Sequence, residues 1–179
     1  KTCAKELLRF HKKNGGISRN KKFDYFVNNI VSQENDRIDV RELLRLYSKL
    51  SYEGLLDCEI CEGLYTLRRN TLDIPWLVVS GGNENEVQKV LKQKGIYDYF
   101  DNGIFGSPKS KEQIFKGLIE RGIIKFPAVF LGDSRYDYEV ASEFGVDFIF
   151  IYGWTEFEEW EKFCGDNMVR ATKNVGDLN

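Results

Sequence analysis

The chain has 179 residues, of which 42% are apolar and 30% are charged, a composition that is ordinary for globular proteins. This length fits one domain, or one domain with a small insert. The 26 basic and 28 acidic residues leave a net charge of -2, which argues against a general nucleic-acid or membrane-surface binder.

The sequence was also searched for the patterns of signal peptides and membrane spans. No apolar stretch is long enough to span a bilayer, and the N-terminal residues do not have the pattern of a signal peptide. Four cysteines without a regular framework indicate a reducing compartment, so we expect a cytoplasmic protein. The sequence carries no signal for an oligomeric state.

Residues 1–57 are predicted to form helices throughout. The first helix ends at Asn14-Gly15-Gly16, which is typical of a helix C-terminus. Ser18 can cap a second helix, and Asp39 with Glu42 three residues later can cap a third. We therefore expect a small helical unit at the start of the chain.

From residue 58 onward, short apolar runs alternate with helical patterns. The runs are continuously apolar, as in strands that are covered on both faces. Three such runs are present, at 77–79, 128–131 and 148–152. Helical patterns follow or separate them, at 83–94, 110–121 and 134–144. Strands that alternate with helices predict right-handed crossovers and a parallel sheet, so residues 58–179 are expected to form an α/β core.

Ser80-Gly81-Gly82 follows the first apolar run and precedes a helix. In an open parallel sheet, ligands bind beyond the carboxyl ends of the strands. A hydroxyl, two backbone amides without side chains and a helix N-terminus suit an anionic phosphate oxygen. A common turn is the alternative interpretation of the same three residues.

Asp133 and Asp137 follow the next run, four residues apart, where another helix begins. Two carboxylates in this arrangement can hold a hard divalent cation such as Mg²⁺. Gly132 beside them allows the backbone to approach a ligand closely. The alternative is that Asp133 and Ser134 only cap the helix and favour its dipole.

Lys109 and Lys111 lie at the start of the helical pattern between these two sites. A lysine at a helix N-terminus is unfavourable to the helix dipole, so two of them suggest an anion that they neutralise. Solvated loop lysines are the alternative.

The order of these features resembles the haloacid dehalogenase-like (HAD) superfamily of phosphohydrolases. Its second motif is a Ser after a strand, here Ser80, its third is a Lys, and its fourth is Gly-Asp-x-x-x-Asp, here Gly132 to Asp137. The resemblance covers residues from about 58 to 153 as a Rossmann-like core. Residues 1–57 resemble the helical C1 cap of the phosphoglycolate phosphatase and β-phosphoglucomutase-like subgroup.

The resemblance implies a role for each residue of the core. Ser80-Gly81-Gly82 would hydrogen-bond the transferring phosphoryl group, and a lysine would balance its charge. Lys111 is favoured for that lysine because apolar residues follow it at three and four positions, as in several family members; Lys109 is the alternative. Asp133 would bind Mg²⁺, and Asp137 would support that site.

In the cap, the stretch from Gly16 to Arg19 resembles the substrate-facing loop of sugar-phosphate members. Arg19 would there contact a second anionic group of the substrate. An exposed arginine in the first helical turn is the alternative. His11, the only histidine, lies on a helical repeat with Leu7 and Leu8 and is interpreted as structural.

The first motif of the family, Asp-x-Asp, is absent from the sequence. Its first Asp is the nucleophile that forms an aspartyl-phosphate, and its second is the general acid/base. Family order places this motif before Lys1, on a strand between those that carry Ser80 and Asp133. We therefore expect a chain that starts inside a longer protein, leaves unpaired backbone groups on both neighbouring strands, and is inactive alone.

The resemblance implies that the full-length protein is a Mg²⁺-dependent phosphatase of a small phosphorylated metabolite, such as phosphoglycolate or a sugar phosphate. A capped phosphomutase is the nearest enzymatic alternative. A non-catalytic phosphate-binding or interaction module without the first motif is the alternative from another class. No nucleic acid or membrane is expected as a partner.

Overall fold

A computed structural model describes residues 2–31 and 39–178 of the chain. The described part of the first 57 residues is helical, as predicted. It consists of α1 (Thr2–Lys13), α2 (Arg19–Tyr25), one π-helical turn (Phe26–Ile30) and α3 (Val40–Asp57). The division of the chain at residue 57 stays a prediction.

The predicted caps of α2 and α3 are present. The Ser18 hydroxyl accepts a hydrogen bond from the Lys21 N–H at 3.5 Å, and the Asp39 carboxylate accepts one from the Arg41 N–H at 2.9 Å. Each cap satisfies a backbone donor that has no partner within the helix. These local contacts explain why the two helices begin where they do.

Helices and strands alternate in the rest of the described chain. The helices are α4 (Leu64–Asn70), α5 (Glu84–Gln93), α6 (Lys111–Glu120), α7 (Arg135–Glu143) and α8 (Trp160–Asp166). The strands are β1 (Val78–Asn83), β2 (Ile104–Ser107), β3 (Val129–Gly132), β4 (Asp147–Ile151) and β5 (Arg170–Thr172). Short 3₁₀ turns lie at Tyr97–Tyr99 and Val175–Leu178.

Helices α5, α6 and α7 begin directly after Asn83, Ser110 and Ser134, in agreement with the helical patterns predicted at 83–94, 110–121 and 134–144. Each of these side chains accepts a hydrogen bond from the backbone N–H three residues later. These capping hydrogen bonds fix the residue at which each of the three helices begins.

The strands form two parallel sheets. One contains β1 and β2, and the other has the order β3-β4-β5. The predicted α/β fold with parallel strands is confirmed. Between β1 and β3, the described residues form no ladder of backbone hydrogen bonds, so each of these strands keeps one unpaired edge.

The two sheets share one apolar core around α6. Phe115 and Leu118 of this helix are 2% and 0% exposed, and they lie in one cluster with Val79 of β1. The ring centroid of Phe115 is also 5.1 Å from that of Phe130 on β3. Burial of a side chain of this size contributes about 1.5–3 kcal/mol. Helix α6 thus holds β1 and β3 near each other without a ladder between them.

None of the helices within residues 2–31 and 39–178 has both the length and the apolar character that crossing a bilayer demands.

Candidate active site

A cavity of about 460 Å³ opens between the unpaired edges of β1 and β3. Residues from Val78 to Gly82 line one side, and residues from Phe130 to Asp133 line the other. Lys111 and Asp137 complete this part of the lining. The strand ends that carry the predicted motifs therefore meet at one cavity, as expected for parallel strands.

The end of β1 is irregular at Ser80-Gly81-Gly82. Val79 pairs with Phe105 of β2, and Asn83 pairs with Ser107. The chain therefore advances four residues along β1 over the length in which it advances two residues along β2. The Ser80 hydroxyl accepts a hydrogen bond from the Gly82 N–H at 3.0 Å. This bulge turns the Ser80 side chain and the glycine backbone toward the cavity.

The loop between α1 and α2 covers this bulge. A Cβ atom at Gly81 would overlap the carbonyl oxygen of Gly16, so the close approach of the two backbones requires glycine. Gly16 itself has a φ of +78°, and a Cβ there would lie 2.6 Å from Ser134 Oγ and 3.4 Å from Lys111 Nζ. The loop thus contacts both sides of the cavity through residues without side chains.

Lys111 and Asp137 form a buried ion pair, with side chains that are 7% and 4% exposed. Lys111 Nζ contacts Asp137 Oδ1, and the Ser134 hydroxyl donates a hydrogen bond to Asp137 Oδ2 at 2.7 Å. Both carboxylate oxygens are therefore engaged within the protein. A buried pair of this kind is favourable only while both charges keep their partners.

Asp133 contributes a carboxylate to the site, and within residues 2–31 and 39–178 no basic side chain forms an ion pair with it. It follows β3 directly and is exposed in the cavity. Surrounding protein atoms and the nearby Asp137 carboxylate raise its pKa, although Lys111 opposes the shift. The Thr155 hydroxyl fixes the backbone here by donating to the Asp133 carbonyl oxygen at 2.6 Å.

A Mg²⁺ ion fits Asp133 in chemical type, because the ion prefers oxygen ligands and carboxylates. A cation would also offset the burial and the Asp137 charge that raise the pKa of Asp133. Within the part of the chain that the structure describes, no three His, Cys, Asp or Glu side chains converge on one point. Asp133 can therefore be one ligand among several, with the others from backbone, water or substrate.

The haloacid dehalogenase-like hydrolase family matches residues 6–145, well over half of the sequence. The chain belongs to this family. Among curated proteins, no sequence matches it.

Solved structures of other proteins share the fold of this HAD-like hydrolase. A haloacid dehalogenase-like family hydrolase from Streptococcus pneumoniae has 20% identity and a TM-score of 0.65, with 87% of this chain and 74% of that one covered. A protein from Clostridium acetobutylicum described as a predicted phosphatase has 17% identity and a TM-score of 0.71, with 96% and 79% covered. A HAD hydrolase of family IA, variant 3, from Entamoeba histolytica has 16% identity and a TM-score of 0.69, with 92% and 76% covered. At these identities the similarity concerns the fold.

The structure brings the predicted core residues of the HAD-like hydrolase together and separates the two candidate lysines. Ser80, Lys111, Asp133 and Asp137 all line the cavity. Lys109 is exposed and does not line it. The position of Lys111 favours it over Lys109 as the lysine of the site, and its catalytic role stays a prediction.

Arg19 lines the cavity, but its charge already has a partner. Its guanidinium contacts Glu86 Oε2 at 2.6 Å and donates to the Ser48 hydroxyl at 2.6 Å. The side chain is buried and packs over the ring of Tyr47. Arg19 therefore joins α2 to α5 and α3, which the sequence alone does not indicate.

Sequence reasoning missed Lys22, which also lines the cavity. It lies three residues after Arg19 on α2, so the two side chains share one face of the helix. That spacing was the available signal. His11, interpreted from the sequence as structural, contacts Lys22 through its ring.

Proposed function

We propose that this HAD-like hydrolase is a Mg²⁺-dependent phosphatase that acts on a small phosphorylated metabolite. The observation that carries the proposal is that Ser80, Lys111 and Asp133 line one cavity. A hydroxyl beside glycine backbone, an ammonium group and a carboxylate together suit a phosphoryl group and the cation that accompanies it.

Each residue has a distinct task in this proposal. The Ser80 hydroxyl and the amide of Gly81 donate hydrogen bonds to the phosphoryl oxygens, while the Gly82 amide donates to the Ser80 oxygen and orients it. Lys111, held in place by Asp137, adds positive charge beside them. Asp133 would hold Mg²⁺, which supplies further positive charge that stabilises the transferring oxygens when it is bound.

The nucleophile in this proposal is an aspartate of an Asp-x-Asp strand that lies outside the 179 residues. The unpaired edges of β1 and β3 support it, because both offer backbone groups to a strand placed between them. The 179-residue chain is then inactive on its own.

Residues 1–57 are proposed to form the cap that closes over the cavity and selects the substrate. The loop that contains Gly16 already contacts the end of β1 and the Lys111 side. The resemblance to capped family members suggests phosphoglycolate or a sugar phosphate as the small substrate. The four free cysteines fit a reducing compartment, and we propose the cytoplasm.

A non-catalytic phosphate-binding module is the second candidate function. The observation that favours it is the absence of Asp-x-Asp from the 179 residues. It has the same cavity and the same anion contacts, but it needs no nucleophile.

Intact mass and N-terminal sequencing of the native polypeptide separate the two candidates. We expect a longer N-terminus with an apolar strand followed by Asp-x-Asp, and phosphatase activity that falls by about a thousandfold in the Asp133→Asn variant. A native start at Lys1 favours the phosphate-binding module. Mg²⁺-dependent turnover by the 179-residue chain would contradict the proposed source of the nucleophile.

The thermal midpoint of the 179-residue chain tests the metal ligand directly. Mg²⁺ that binds only the folded state stabilises it and so raises this midpoint. At a Mg²⁺ concentration one hundred times the Kd, the free energy of unfolding increases by about 2.7 kcal/mol. We expect no such rise in the Asp133→Asn variant. Asp147→Asn, an exposed position at the start of β4, is the matched control and should respond like the unmodified chain.

A further inference from the structure

The segment between β4 and α8 contacts the end of β3. Gly132, opposite Phe150, is the last residue of β3 that pairs with β4, so Asp133 lies one residue beyond the ladder. The Asp133 carbonyl oxygen accepts a hydrogen bond from the Thr155 hydroxyl at 2.6 Å. The two residues are 22 positions apart, so this contact joins β3 to a distant part of the chain.

The direction of this hydrogen bond follows from a second contact of the Thr155 hydroxyl. The Phe157 N–H donates to Thr155 Oγ1 at 3.0 Å, and that contact occupies a lone pair of the hydroxyl oxygen. A carbonyl oxygen can only accept, so the hydroxyl proton is directed to Asp133. A distance of 2.6 Å is at the short end of the range for such bonds. The Thr155 hydroxyl is therefore oriented by one residue while it holds another.

The backbone before Thr155 is anchored independently of Asp133. The Gly153 N–H donates to the Lys173 carbonyl oxygen at 2.9 Å, just beyond the pairing of β4 with β5. A Cβ atom at Gly153 would lie 2.5 Å from that oxygen, so the close approach of the two backbones requires glycine. Because the segment has its own attachment to the sheet, Thr155 can fix the position of Asp133 and does not merely follow it.

The placement of the Asp133 carboxylate depends on the backbone that Thr155 holds. An aspartate side chain is short, so the direction of its carboxylate follows closely from its backbone. Mg²⁺ requires near-ideal octahedral geometry, with ligand distances that are correct to within about 0.2 Å. A small displacement of the Asp133 backbone is therefore enough to weaken its contact with the ion.

We infer that Thr155 is a positioning residue for Asp133, whose backbone it holds so that the carboxylate is placed to bind Mg²⁺. The inference rests on the proposed function, which makes Asp133 a ligand of the ion. Thr155 acts through Asp133 and is not itself a ligand. Residues that support a metal ligand in this way typically contribute about 10- to 100-fold to metal affinity.

Calorimetric titration of the 179-residue chain with Mg²⁺ tests the inference without requiring turnover. Thr155→Val removes the hydroxyl and nearly keeps the shape of the side chain, so Mg²⁺ should bind at least about tenfold more weakly. Thr155→Ser keeps the hydroxyl and should bind Mg²⁺ like the unmodified chain. Thr155→Ala removes the hydroxyl without adding a methyl group, and it is the second variant if Thr155→Val does not fold.

Thr172→Val on β5 is the matched control. The Thr172 hydroxyl also donates a hydrogen bond, but to Asp177 Oδ2, at 3.0 Å. Urea denaturation of both valine variants separates an effect on stability from an effect on metal binding. We expect each variant to lose stability, because each loses a hydrogen bond, and only Thr155→Val to lose Mg²⁺ affinity.

The outcomes separate this inference from the proposed function. Unchanged Mg²⁺ affinity in a folded Thr155→Val or Thr155→Ala variant overturns the inference and leaves Asp133 as the proposed ligand. An equal loss of affinity in Thr155→Ser also overturns it, because that variant keeps the hydroxyl. If the unmodified chain does not bind Mg²⁺, or binds it no better than Asp133→Asn, the metal site of the proposed function is contradicted and the inference with it.

Discussion

The ends of β1 and β3 line the same cavity but are built in different ways. At the end of β1, Ser80-Gly81-Gly82 contributes a hydroxyl and backbone groups. The covering loop packs closely against this segment because Gly81 has no side chain. At the end of β3, Asp133 and Asp137 are charged, and Asp137 depends on Lys111 and Ser134 for its partners. The first end suits an anion, and the Asp133 carboxylate at the second suits a cation. The two ends are also expected to fail differently when they are mutated.

The largest effect is expected from removal of the charge partner at the β3 end. Lys111→Met leaves the Asp137 carboxylate buried beside an apolar side chain, which costs about 3–5 kcal/mol of unfolding free energy. Urea denaturation measures this change. Lys109→Met, at an exposed position two residues earlier, should change stability by less than about 0.5 kcal/mol.

A second substitution shows whether the buried charge causes that loss. Lys111→Met combined with Asp137→Asn leaves no ionised group in this position, so the double variant should recover part of the stability. Equal stability of the single and double variants would mean that lost packing, and not an unpaired charge, explains the effect.

A substitution at the β1 end is expected to reduce stability through steric overlap. Gly81→Ala places a methyl group against the carbonyl oxygen of Gly16, and displacement of the covering loop is expected to cost about 1–3 kcal/mol. Gly117→Ala on α6 is the control, because no atom lies within 4 Å of its new methyl group. That variant should gain about 0.5–1 kcal/mol, since alanine favours a helix interior. Similar effects at both glycines would contradict the close approach of the loop.

A smaller effect is expected from the hydroxyl at the β1 end. Ser80→Ala removes the acceptor of the Gly82 N–H and a donor to phosphate, worth about 1 kcal/mol, so phosphate affinity should fall about fivefold. Calorimetric titration with inorganic phosphate measures it. Ser142→Ala, exposed on α7, should bind phosphate like the unmodified chain.

The smallest effect is a pH dependence of stability that comes from His11 on α1. Burial and the charge of Lys22 lower the pKa of His11, and Glu156 only partly offsets them, so the folded state favours the neutral ring. The neutral His11 ring therefore contributes fully to the free energy of unfolding above the ordinary pKa of 6.5. This contribution is lost as the pH falls through the lowered pKa of His11 in the folded state.

Thermal midpoints measured from about pH 8 to about pH 5 give the test. We expect the unmodified chain to lose more stability over this range than His11→Gln, whose amide does not titrate. Parallel pH profiles in the two proteins would show that His11 does not titrate differently in the folded state.

Local signals account for the parts of the fold that could be predicted. Asn83, Ser110 and Ser134 each carry a capping side chain, so the helices after them begin where the sequence places them. Strand β2 was missed because Ile104–Ser107 is only four residues long and includes a glycine. Strand β1 runs further than predicted, to Asn83, because glycines that read as a turn lie in a bulge.

The site was predictable where its residues follow strand ends, and less so where partners come from distant segments. Lys111 was preferred over Lys109 because Ile114 and Phe115 follow it as apolar residues do in several family members, and all three side chains are buried. The pairing of Arg19 with Glu86 spans 67 positions. Such a contact depends on tertiary packing, which the pattern around either residue does not encode.

The unpaired edges of β1 and β3 also affect how the chain behaves in concentrated solution. An unpaired edge is a template to which a strand of another molecule can add. Because both edges line one opening, an incoming strand could gain backbone hydrogen bonds on both of its sides. The 179-residue chain is therefore expected to self-associate as its concentration rises, and a single strand that fills the opening would remove both templates at once.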